Sequence, residues 1–119
     1  MPDHTEPMIP DETSYRLLKQ LEANPNISQR ELSRTLGMSL GKVNYCLKAL
    51  IRQGLVKSTT LDSGRARRVC AYPLTPAGLR SKGEIALAFL RRKQGEYEQL
   101  GREIEELSRE VRGQEGKLD

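Results

Sequence analysis

Apolar positions fall at helical spacing in three short stretches, give way to β-branched runs, and then return to helical spacing for the rest of the chain. In the first stretch Tyr15, Leu17, Leu18 and Leu21 predict a helix that begins near Asp11 or Thr13, either of which can cap it. It stops before Asn24-Pro25, because a residue that precedes proline is pushed out of the α region. The second start is more explicit. Ser28 and Glu31 form an S-x-x-E capping box, and Ile27 and Leu32 stand where a hydrophobic staple requires them. That helix runs to Leu36 and ends at Gly37, where a left-handed conformation costs glycine little. After Met38 a third helix is capped by Ser39, with Met38 and Val43 again at staple spacing. It is expected to bury Leu40, Val43, Leu47, Leu50 and Ile51, together with Cys46, and to end at Gly54.

The period then changes. Leu55 to Thr60 and Val69 to Leu74 read as strands around the turn residues Asp62-Ser63-Gly64. A hairpin appended to a tri-helical unit is a wing. Thr75-Pro76 starts a last helix, with Thr as its cap and Pro where a missing N–H does no harm. The fold class is therefore mainly α with a small β-hairpin, a winged helix-turn-helix followed by a long C-terminal helix. The expected segments are a flexible lead-in over 1–10, the winged helix over 11–75, a dimerisation helix over 76–112 and a flexible tail over 113–119.

Within the last helix Leu90, Tyr97, Leu100, Ile104, Leu107 and Val111 repeat at alternating three- and four-residue steps, with Lys93 at one seam position. This is the pattern of a short coiled coil, so a partner helix is expected. Glu98 with Arg102 and Glu105 with Arg109 are spaced to pair along the helix. Glu96, Glu103 and Glu110 flank the seam and face Gly101, Ser108 and Glu115 in a parallel homodimer, so the flanks do not specify orientation.

Composition narrows the function. The 119 residues carry 20 Lys and Arg against 16 Asp and Glu, a net charge of +4, but residues 14–83 alone hold 13 bases and 3 acids. The basicity belongs to the winged helix and favours a polyanionic partner. Only 36% of the chain is hydrophobic and Trp is absent, so the core is built mainly from Leu, Ile, Val and Ala. The longest apolar run, Ile85 to Leu90, is far too short to cross a bilayer, and the acidic N-terminus does not resemble a signal peptide; no membrane partner and a cytoplasmic location are expected. Cys46 and Cys70 lack metal-ligand spacing and His4 is the one histidine, so neither a metal nor another cofactor is expected. No nucleophile motif, phosphate-binding glycine loop or H-E-x-x-H is present, and the chain is not expected to be an enzyme.

If Leu40, Val43, Leu47 and Leu50 face inward, the opposite side of the third helix shows Gly41, Lys42, Asn44, Tyr45, Lys48 and Arg52, with Ser39 at its N-terminus. Such a face suits a major groove: a helix N-terminus and lysines for phosphates, Asn44 and Tyr45 for base edges or backbone. The plainer reading is a solvated helix surface. Arg65, Arg67 and Arg68 concentrate three guanidinium groups at the wing, suited to phosphates or a minor groove, or to guarding an exposed strand edge. Arg30 and Arg34 are weaker candidates for backbone contacts.

The run Pro25-Asn26-Ile27-Ser28-Gln29-Arg30-Glu31-Leu32, the run Leu36-Gly37-Met38-Ser39-Leu40-Gly41-Lys42-Val43-Asn44-Tyr45-Cys46-Leu47-Lys48-Ala49-Leu50, and Leu74-Thr75-Pro76-Ala77-Gly78 resemble winged-helix regulators of the MarR family. The resemblance continues through Phe89-Leu90-Arg91-Arg92-Lys93 and is closest to the short, exopolysaccharide-associated branch. It implies a homodimer that binds double-stranded DNA, with helix 39–53 in the major groove, the wing near the minor groove, and surface-polysaccharide genes as the target. A small-molecule effector is left open. From the residues alone an alternative stands beside it: an interaction adaptor in which the winged helix is a scaffold and the coiled coil recruits a different chain.

Overall fold

The computed structural model describes residues 9–62 and 68–118. The elements are α1 (Asp11–Ala23), α2 (Gln29–Leu36), α3 (Leu40–Arg52), β1 (Thr59–Asp62), β2 (Arg68–Ala71) and α4 (Pro76–Leu118). The chain divides into two compact units, residues 1–86 and 87–119, and α4 begins in the first and continues through the second.

The first unit is organised by its caps. Ser28 Oγ accepts from the Glu31 N–H at 3.1 Å and donates to the Glu31 carboxylate at 3.3 Å, which sets the start of α2. Ile27 and Leu32, the staple pair, are both buried. Gly37 takes φ 66°, where a Cβ would be strained, and the Met38 N–H donates to Ser33 O at 3.1 Å, so the chain reverses within three residues and Ser39 caps α3 through the Lys42 N–H at 3.1 Å. α1 differs from expectation at its start. Pro10 occupies the cap position without a side-chain acceptor, and Asp11 and Glu12 lie inside the first turn, where their charge favours the positive end of the helix.

Leu17, Leu18 and Leu21 of α1, Leu32 and Leu36 of α2, and Val43, Cys46, Leu47 and Leu50 of α3 form one core, joined by Val56 and Tyr72. Leu40 does not belong to it. The expectation of burial is corrected: it is 45% exposed, because it stands in the first turn of α3, where Met38 packs against the core instead. Ile51 is only partly buried.

The hairpin is displaced relative to the sequence reading. The Leu55 N–H donates back to Leu50 O at 3.0 Å and closes the turn after α3, so the strand begins only at Thr59. Thr59 pairs antiparallel with Ala71 and Asp62 with Arg68, which makes Asp62 part of the ladder and not of the turn. Ser63 and Gly64, the rest of the expected turn, lie outside the described residues. On the returning side β2 ends at Ala71: the Tyr72 N–H turns away to Pro25 O at 2.8 Å, and Pro73 has no N–H to give. Two further contacts, a bridge between Val56 and Leu74 and the Lys57 N–H to Pro73 O at 2.9 Å, tie down the root of the wing.

The start of α4 explains the Leu-Thr-x-x-Gly run. The Thr75 hydroxyl donates to Gly54 O at 2.6 Å and accepts from the Gly78 N–H at 3.0 Å, capping the helix and clamping it to the end of α3. Gly78 packs so closely on the Leu55 carbonyl that a Cβ there would lie 2.0 Å from the oxygen. Lys82 forms an ion pair with Glu22 of α1.

In the second unit the helix does not stop at Arg112 but runs on to Leu118. Leu90, Tyr97, Leu100, Ile104, Leu107 and Val111 are all more than half exposed. Glu105 pairs with Arg109 at 3.8 Å as its spacing predicts, and with Arg112 at 3.9 Å. Arg102 does not pair with Glu98 as its spacing predicts; its guanidinium donates twice to Gln99 Oε1, at 2.7 and 3.2 Å. Among the described residues no helix is long and apolar enough to cross a membrane.

Candidate nucleic-acid interface

The exposed face of α3 is formed by what the core leaves over. With Val43, Cys46, Leu47, Ala49 and Leu50 turned inward, Gly41, Lys42, Tyr45, Lys48 and Arg52 are exposed and Asn44 is half-buried at the margin. Ser39, also exposed, occupies the N-cap. The helix contains no acidic residue, so its exposed face presents Lys42, Lys48 and Arg52 without a countercharge of its own. Arg52 folds back through Nε to the Lys48 carbonyl at 3.4 Å, in the last turn, where a cation is favoured.

Asn44 is less exposed than its neighbours on this face and is engaged by another element. Its Nδ2 donates to Gln29 Oε1 at 3.3 Å, and Gln29 Nε2 donates to the Tyr72 hydroxyl at 3.1 Å. Three elements, α3, the first turn of α2 and the root of the wing, are thereby joined by side-chain amides. Gln29 is the residue that sequence reading missed. It stands at the first position of α2, a place that ordinary helix surface also fills with Gln, and only the folding of α2 against α3 brings it to Asn44.

Beside this face Arg30, Ser33, Arg34 and Leu40 line an open groove of about 350 Å³. The exposure of Leu40 is thus matched by two guanidinium-bearing residues of α2. A further arginine works structurally: Arg16 of α1 donates from Nη2 to Leu36 O at 3.0 Å and satisfies a carbonyl at the end of α2.

At the wing, Arg65 and Arg67 lie outside the described residues, while Arg68 is the first residue of β2, with its backbone in register with Asp62. Burial pushes the Cys46 thiol above its ordinary value, with a smaller opposing effect from Lys42, which agrees with a small apolar core residue; Cys70 is free and exposed. Among the described residues no three His, Cys, Asp or Glu side chains come together as metal ligands would.

Residues 10–57 match the family model for the winged helix-turn-helix DNA-binding domain. No curated protein sequence matches the chain. Among solved structures, the PcaV transcriptional regulator from Streptomyces coelicolor, in complex with its natural ligand, is 27% identical with a TM-score of 0.60; the match covers 76% of this chain and 60% of PcaV. The chain thus spans less than two thirds of that regulator's length. A MepR variant from S. aureus bound to an oligodeoxyribonucleotide is 19% identical with a TM-score of 0.58, over 92% of this chain and 78% of that one. The zinc-dependent MarR family regulator AdcR in its Zn(II)-bound state is 22% identical with a TM-score of 0.55, over 100% of this chain and 82% of that one. The chain is built on a winged helix-turn-helix, and the structures that share its fold include transcriptional regulators of the MarR family.

Proposed function

We propose that the protein is a sequence-specific regulator of transcription that binds double-stranded DNA as a homodimer, a member of the MarR family acting in the cytoplasm, with surface-polysaccharide genes as its target. The observation that carries this reading is the uncompensated basic face of α3, Lys42, Lys48 and Arg52 behind a Ser39-capped N-terminus, within residues that match a DNA-binding winged helix. In this reading α3 enters the major groove, Ser39 and Lys42 meet phosphate, and Arg65, Arg67 and Arg68 bring the wing to the backbone or minor groove. The dimer forms through Leu90, Tyr97, Leu100, Ile104, Leu107 and Val111, whose exposure in one copy of the chain leaves an apolar stripe, interrupted at Lys93, on the second unit.

Binding to a duplex selected from a random pool is the test. Affinity is expected to fall steeply with salt, because each neutralised phosphate releases counterions, and Lys42→Ala or Lys48→Ala should reduce the slope of log affinity against log salt by about 1. A salt-independent affinity would remove the proposal.

A second reading keeps the winged helix as a scaffold and gives the seam to another chain. It is favoured by Glu96, Glu103 and Glu110, all exposed beside the seam, which a partner with basic flanks would satisfy better than a second copy. Sedimentation of the pure protein separates the two: a dimer supports the regulator, a persistent monomer the adaptor.

A further inference from the structure

Asparagine on a recognition helix normally has two ways round. Its amide can present an oxygen or an amino group to the groove, and a freely rotating side chain gives up part of its selectivity to that ambiguity. In this structure the choice is restricted. Asn44 is half-buried and donates from Nδ2 to Gln29 Oε1 at 3.3 Å. Gln29 Nε2 in turn donates to the Tyr72 hydroxyl at 3.1 Å, with the amide oxygen on the side of Asn44. Tyr72 is held by its own burial and by its backbone N–H on Pro25 O at 2.8 Å. The Asn44 amide is therefore held at one end of a chain of contacts that starts in the root of the wing, with an oxygen lone pair and an N–H left over.

We propose that Asn44 is a specificity-determining residue that reads adenine, and that Gln29 is the positioning residue that gives it this preference; the proposal rests on the DNA-binding reading above. With one amide hydrogen taken by Gln29, Asn44 retains an oxygen acceptor and one N–H donor. Adenine alone among the four bases shows a donor beside an acceptor in the major groove, N6–H₂ next to N7. Guanine offers two acceptors, thymine one, and cytosine only a donor, so each satisfies at most one of the two Asn44 groups. Asn44 stands in the second turn of α3, near the helix N-terminus that base contacts use.

Selection of bound sites from a random duplex pool by the full chain and its variants tests both parts. The unmodified protein is expected to require adenine at one position of each half-site by roughly tenfold over the other bases, and Asn44→Ala should abolish that requirement at that position alone. Gln29→Leu, which leaves Asn44 intact but free to turn over, should weaken the adenine preference several-fold while preferences elsewhere in the site persist. Gln29→Glu keeps an acceptor toward Asn44 Nδ2 and should retain the preference even where its added negative charge lowers total affinity. Circular dichroism of each variant checks the fold. A selected site whose base preferences are the same with Gln29→Leu as without it overturns the positioning role, and one unaffected by Asn44→Ala overturns the proposal entirely. Failure of the unmodified protein to select any site would instead count against the DNA-binding reading.

Discussion

Leucine does opposite things in the two units of this chain. In the first, Leu17, Leu18, Leu21, Leu32, Leu47 and Leu50 are all at or below 1% exposure, whereas in the second Leu90, Leu100 and Leu107 are between 53 and 59% exposed. Full burial of one such side chain stabilises by about 1.5–3 kcal/mol. The winged helix gains this from its own residues, since three short helices and the root of a hairpin close around one cluster. A single helix cannot cover its own stripe, so the same amino acid at the same helical spacing stays open there; in the proposed dimer it is the surface that meets a second copy.

The strongest way to break this contrast is in the core. Leu50→Ala removes a fully buried side chain from the core and should destabilise the winged helix by about 3 kcal/mol, read as a shift in the urea midpoint at constant slope. A loss below about 1 kcal/mol would contradict the packing described. Leu100→Ala should leave the monomer's helical signal nearly unchanged but weaken self-association by about 2 kcal/mol, some thirtyfold in the dissociation constant measured by sedimentation. If self-association is unaffected, the stripe is not where two copies meet.

The smallest effect concerns Cys46. Burial raises its pKa, so the folded state holds the thiol proton more tightly than the unfolded chain does. Its stabilising contribution is complete below the unfolded thiol value and is lost as pH climbs through the folded one. Stability should therefore decline on the alkaline side of the ordinary thiol value, and Cys46→Ala should flatten that part of the profile. Equal slopes in both proteins would show that the thiol carries no such linkage.

Local chemistry was readable where neighbours in sequence are neighbours in space. The Ser28, Ser39 and Thr75 caps and the Gly37 reversal each bring together residues within a few positions, so the side-chain types alone locate these helix ends. The basic face of α3 follows from the same regularity. The hairpin did not, because its ladder is set by what the chain does after α3: Leu55 is spent on closing the turn, Val56 makes only an isolated bridge, and the continuous ladder starts at Thr59. Nor could spacing tell which of the exposed-side residues are engaged. Asn44 and Lys48 look equivalent on a helical wheel, yet only Asn44 meets an amide from another helix, fifteen positions away in the chain.

By itself, then, the order of residues determined the tri-helical unit, the caps of α2 and α3, the position of the basic face and the apolar stripe of α4, since all of these depend on helical periodicity and contacts over a few residues. Tertiary structure alone decided that Leu40 lies open beside Arg30 and Arg34, that Gly78 must pass against the Leu55 carbonyl, and that Asn44 is held through Gln29 to Tyr72. Each of these depends on the distance between separate elements after packing, and a periodicity within one element carries no information about that distance.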